Sequence, residues 1–127
     1  MPHTLTLEYG DFAVLKLAPD APIPTWLPTT HFWTVTRAAD ELSIICPTEA
    51  VPYGTRFDGD WRLLRMEGPF AFDLSGVLAS VLTPLAAANV GIMAISSFNT
   101  DYVLVKHSRL LTALDALRAA GHTVLET

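Results

Sequence analysis

The sequence predicts an α+β fold in which a β-α-β-β-α-β unit follows a reduced copy of itself. Three observations predict it. Apolar residues recur at helical spacing in two segments, Leu74, Val77, Leu78, Val81, Leu82 and Leu85, then Leu110, Leu111, Leu114 and Leu117. Short apolar runs that read as strands flank both segments. The first half repeats the strand runs, but Pro19, Pro22, Pro24 and Pro28 stand where a helix would be and forbid a regular one.

In the first half, Phe12–Ala18, Phe32–Ala38 and Leu42–Pro47 are the expected strands. A single turn near Trp26 and a short helix after Pro47 are compatible with the prolines. In the second half, Trp61–Gly68 reads as a strand ending in a Gly-Pro break. Asp73 is a good N-cap for the first helix, and Pro84 should kink or shorten it. Asn89–Gly91 ends it. Ile92–Phe98 is apolar on nearly every residue at first, as in a strand covered on both faces. Tyr102–Val105 is the next strand, and the short Asn99–Asp101 link predicts a hairpin. Ser108 is the expected cap of the second helix, with Arg118 in its last turn and Gly121 just past its end. Thr123–Glu126 closes the unit as a strand. Arg56–Asp60 is the one plausible boundary, between a unit at 1–60 and a well-formed unit at 61–127. That linker is too short for two free domains.

Composition narrows the function. The chain has 127 residues, half of them hydrophobic and 17% charged, which is a globular composition. A net charge of −5 repels phosphate backbones, so no nucleic-acid partner is expected. One cysteine, Cys46, permits no intrachain disulfide and fits a reducing, cytoplasmic setting. The start, MPHTLTLEYGDF, has no basic stretch followed by a long apolar run, so no signal peptide is expected. Leu74–Thr100 is uncharged and long enough to cross a bilayer. Pro84, Asn89 and Gly91 interrupt it and its period changes midway, so it reads as a helix and a buried strand, with no membrane partner.

No catalytic set stands out. His3, His31, His107 and His122 are scattered, with no pair at ligand spacing, so neither metal nor cofactor is expected. Cys46 has no histidine placed beside it and reads as a small core residue. No base, nucleophile and orienting group can be assembled, so the chain reads as a non-enzyme. What remains is a polar spot made by two elements. In the Phe72–Val77 loop, free N–H groups at a helix start favour an anion, and Gly76 permits close approach. Ser97–Asp101 ends the following strand with a carboxylate. Together they suit a zwitterion. Each part also has a plainer reading: Asp73 as a helix cap, Asn-Thr-Asp as a turn.

These residues carry a resemblance. FDLSG, the Ser80–Ala86 segment SVLTPLA and, above all, ISSFNTDYVLV (Ile95–Val105) resemble the core of an ACT domain. They are most similar to the ACT domains of the CASTOR arginine sensors and their small bacterial relatives. The resemblance covers Trp61–Thr127 well and the first half more weakly. It implies two tandem ferredoxin-like βαββαβ units, the first with reduced helices, and a regulatory role with a free amino acid bound between paired domains. It assigns the ligand to the Asp73–Gly76 loop, to Asp101, and to Ser80 and Val81 from the partner domain. The expected site is therefore Asp73, the amides near Ser75, Gly76 and Val77, Ser80, Val81, the turn Phe98, Asn99 and Thr100, and Asp101. A basic ligand would instead meet Asp101 with its side chain. Those sensors carry two tandem pairs and this chain carries one, so a homodimer with two equivalent sites is expected, regulating a protein partner. The alternative is an ACT-fold interaction module with no ligand.

Overall fold

The computed structural model describes residues 2–70 and 76–126. Among the described residues, eight strands and two α-helices divide between two units, one made of residues 2–9 and 62–126 and the other of Gly10–Trp61. Residues 2–9, expected with the 1–60 unit, group instead with residues 62–126 because of a strand the sequence does not signal clearly.

That strand is β1, Thr4–Leu7. It pairs antiparallel with β5 (Asp58–Met66), Leu5 opposite Met66, and parallel with β8 (Thr123–Glu126), Leu5 opposite Val124. Its burial alternates strictly, Leu5 and Leu7 inward, as a strand with one covered face requires. In this unit β7 (Asp101–Lys106) pairs with β5, and β6 (Ile92–Ser96) pairs with β7. The order is β8-β1-β5-β7-β6. Helices α1 (Val77–Ala87) and α2 (Leu110–Ala119) complete the β-α-β-β-α-β sequence from β5 to β8.

Both helices cover one face of this sheet. Val77, Val81 and Leu85 of α1 and Leu110, Ala113, Leu114 and Leu117 of α2 bury against Leu5, Leu7, Leu64, Met66, Val103, Val105 and Val124. Each large aliphatic side chain so buried contributes about 1.5–3 kcal/mol before chain entropy is counted. The two helices end alike. Val90 N–H donates to Leu85 O and Asn89 N–H to Ala86 O; His122 N–H donates to Leu117 O and Gly121 N–H to Arg118 O. Both are Schellman turns, with Asn89 (φ 63°) and Gly121 (φ 96°) in the left-handed conformation such turns need.

Three local expectations need correction. Ser108 does not cap α2: a 3-10 turn, His107–Arg109, leads into it without a side-chain cap bond. Pro84 does not shorten α1, which continues through it to Ala87. None of the five residues of β6 is buried, because β6 is an edge strand, paired only with β7 among the described residues. Its apolar run is a feature of an edge, not of a strand covered on both sides.

In the Gly10–Trp61 unit, β2 (Phe12–Leu17), β3 (Thr34–Arg37) and β4 (Leu42–Pro47) pair antiparallel in the order β3-β4-β2, and β2 pairs with the start of β5. No α-helix forms. Ala21, Trp26 and Leu27 of the proline-rich segment pack on Ala13, Leu15, Leu42, Ile44 and Cys46, the face a helix would otherwise cover. Arg37 holds that segment by donating to Pro19 O and Ala21 O. A 3-10 turn, Thr48–Ala50, follows β4 where a short helix is compatible with the sequence. Cys46 is fully buried, and burial pushes its thiol up to about 11, so it is a protonated core residue at neutral pH.

Candidate functional site

The β6–β7 hairpin forms as expected. Ser96 faces Asp101, and Ser97 N–H donates to Thr100 O at 2.8 Å, so Phe98 and Asn99 make the tip. Asp101 is half-buried at the first position of β7, and its Oδ1 accepts from the Ser96 hydroxyl. Phe98 is 78% exposed.

The chain leaving β5 runs beside this tip. Thr100 Oγ1 donates to Met66 O at 2.7 Å, and Phe70 N–H donates to Asn99 O at 2.9 Å. Gly68 lies between these two bonds. A Cβ there would stand 2.8 Å from Asn99 O and 3.2 Å from Thr100 Cβ. Gly68→Ala is therefore expected to separate the two segments and cost about 1–3 kcal/mol, typical of overpacking. Urea unfolding of the variant measures it; an unchanged midpoint would contradict this packing.

Gly76 opens α1 with φ 80°, a conformation glycine adopts without strain. Among the described residues no atom other than those of its chain neighbours lies within 4 Å of where its Cβ would be. Asp73 and Ser75 lie outside the described residues. The remaining expected contacts divide sharply. Val77 and Val81 point into the core and Val81 is fully buried, so neither offers a side chain to a ligand. The Ser80 hydroxyl donates to Val77 O at 2.6 Å, and the Thr100 hydroxyl is committed to Met66 O. Thr100 thus anchors the turn and does not line a pocket. Gly76, Phe98, Asn99 and Asp101 keep exposed or half-exposed surface.

Sequence reasoning missed a histidine pair. His3 and His122, 119 positions apart, stack with ring centroids 5.9 Å apart, and His3 N–H donates to His122 Nδ1 at 3.0 Å. His122 Nε2 lies 2.8 Å from Ser80 O. The His3 ring also meets Phe70 edge-on at 5.6 Å. Its Nε2 is buried without a hydrogen-bond partner among the described residues. The one sequence signal was Pro84: a proline within a helix leaves the carbonyl four residues earlier without its usual donor. That carbonyl is Ser80's. Nothing in the sequence says which side chain supplies the donor.

Burial, then the neighbouring His122, then the terminal amine lower the His3 pKa below 6.5. The unfolded chain therefore binds a proton near pH 6.5 that the folded chain refuses. This contribution to stability is fully present above pH 6.5 and is lost as the pH falls below it, towards the lower folded value. Melting temperature should drop between pH 7.5 and pH 5, and less steeply in His3→Gln; equal slopes would refute this assignment.

Comparison with known proteins gives the lineage. The family model described as ACT domain matches residues 56–119, just over half of the chain. The chain belongs to the ACT domain family. A second model, of an N-terminal domain, matches residues 10–54. The chain is also similar to the cytosolic arginine sensor for mTORC1 subunit 1. Identity is 39% over 59 residues with the Rattus norvegicus protein and 37% over 59 residues with the Homo sapiens protein. The match takes in 46% of this chain but 18% of the sensor, so the chain spans only a small part of those relatives. A crystal structure of an Agobacterium tumefaciens protein is similar over the whole chain and 95% of its own, with 35% identity and a TM-score of 0.92. The regulatory subunit of aspartate kinase from Thermus thermophilus, 14% identical, shares the fold at a TM-score of 0.64 over 92% of this chain and 97% of its own. The ferredoxin-like ACT architecture is thus that of the chain.

Proposed function

We propose that this ACT protein is a regulatory binding module, not an enzyme, that takes up a free amino acid where two copies of the chain pair. The observation that carries the reading is the Phe70 N–H to Asn99 O bond. It ties the segment leading into α1 to the turn that ends in Asp101. The amides of the first turn of α1, beside Gly76, have no intrahelical acceptor and suit the ligand carboxylate. Asp101 suits an ammonium or a basic side chain. The likeness to an arginine sensor makes L-arginine the first ligand to test. Asp73 and Ser75, just before Gly76 in the sequence, complete the proposed set, with Phe98 and Asn99 at its rim.

Pairing is supported by β6, an apolar edge strand of the kind that invites a second chain. An isologous homodimer would carry two equivalent sites. The bound state would then be read by a protein partner in the cytoplasm. A melting-temperature screen of the dimer against the twenty amino acids tests the proposal. A rise with one of them is expected; a flat response from protein shown to be dimeric would overturn it.

Exposed Phe98 and Leu111, at 78% and 77%, favour a second reading, an interaction module with no ligand. Under that reading, partner capture would survive Asp101→Ala and Gly76→Leu unchanged.

A further inference from the structure

We propose that His122, backed by His3, is a positioning residue that pairs the Ser80 carbonyl left open by Pro84 and so holds the first turn of α1 in place for the amino-acid site. This rests on the binding function proposed above.

The need begins at Pro84. In α1 the Ser80 carbonyl should accept from the N–H of residue 84, and proline has none. His122 Nε2 stands 2.8 Å from that carbonyl. Its other nitrogen, Nδ1, accepts the His3 N–H, so the neutral ring carries its hydrogen on Nε2 and donates to Ser80. The ring is well placed for this. The His122 N–H closes the Schellman turn of α2 on Leu117 O, Thr123 N–H donates to His3 O, and the residue is 5% exposed. Both ring nitrogens are therefore occupied within the protein, leaving none for a metal or substrate.

What the latch holds matters for the site. Ser80 N–H donates to Gly76 O at 3.0 Å, so Ser80 fixes the turn that presents the Gly76 backbone. The His3 ring abuts Phe70, whose N–H is bound to Asn99 O. Two neighbouring histidines thus brace Ser80 in α1 and Phe70 beside the Asn99 turn. The helix start and the Asp101 turn keep a fixed relation only while both braces hold. A mispositioned donor is costly in binding even when it never touches the ligand.

Calorimetric titration of the full chain with L-arginine tests this. His122→Leu, which leaves the Ser80 carbonyl unpaired, is expected to weaken binding about tenfold. His122→Gln, whose amide nitrogen can take the place of Nε2, should stay within about threefold of wild type. Pro84→Ala returns a helical N–H to Ser80. In that background His122→Leu should cost no more than about threefold, because the pair is coupled. Equal affinity of His122→Leu and wild type would overturn the proposal, as would a tenfold loss that persists in Pro84→Ala. Failure of wild type to bind L-arginine counts against the arginine form of the function, not against the latch. Amide hydrogen exchange then decides. Exchange at Ser80, Val81 and Leu82 should speed about tenfold in His122→Leu, and not when Pro84→Ala is also present. Unchanged exchange would overturn the latch whatever the ligand.

Discussion

Asp101→Ala is expected to remove most of the thermal stabilisation that the proposed amino-acid ligand gives. Asp101 is the carboxylate that ends the β6–β7 turn, and its one described side-chain bond is from the Ser96 hydroxyl. A charged hydrogen bond to a ligand ammonium or guanidinium is worth about 1.5–3 kcal/mol, so affinity should fall roughly ten- to hundredfold. At a ligand concentration of about 100 Kd, binding stabilises the protein by about 2.7 kcal/mol, or roughly 10 °C for a chain of this size. After a hundredfold loss the same concentration gives about 0.4 kcal/mol, near 1 °C. Without ligand the variant should melt within a few degrees of wild type, since it loses only a bond at the protein surface, worth about 1 kcal/mol. Equal ligand-induced shifts in the two proteins would remove Asp101 from the site.

Leu85→Ala should produce the largest loss of stability. Leu85 is fully buried between α1 and the sheet, in the cluster that also holds Val81, Leu64 and Leu117. Removing its side chain leaves a cavity the helix cannot close, and such changes cost about 2–5 kcal/mol. Against a total stability of about 5–15 kcal/mol this is a large share. Leu111→Ala is the control. Leu111 is 77% exposed on α2, and its loss should cost no more than about 0.5 kcal/mol. Denaturant midpoints compare the two. Similar losses would mean that the helix faces are assigned wrongly.

Much of the second unit was legible because its signals are local. Val77, Val81 and Leu85 repeat at helical spacing, Gly121 stops α2, and Thr123–Glu126 stands as a strand at its expected bounds. β1 was missed although Thr4–Leu7 alternates, because four residues are a weak signal and the pairing partners lie far along the chain. β6 was misread because an apolar run does not say whether a strand is central or at an edge. At the site, the turn and the glycine at the helix start were readable. The commitment of Val81 to the core was implicit in the same helical stripe that predicted α1, yet the resemblance had assigned it to a ligand. The histidine pair was not readable at all: only folding brings His3 to His122, and only Pro84 hinted that a donor was needed.

The measurement that bears most directly on the proposed function is calorimetric titration of the purified protein with each of the twenty amino acids, L-arginine first. Saturable binding of at least one, at one molecule per chain and lost in Asp101→Ala, is the predicted result. No heat of binding from any of them, or binding that Asp101→Ala leaves intact, would contradict it.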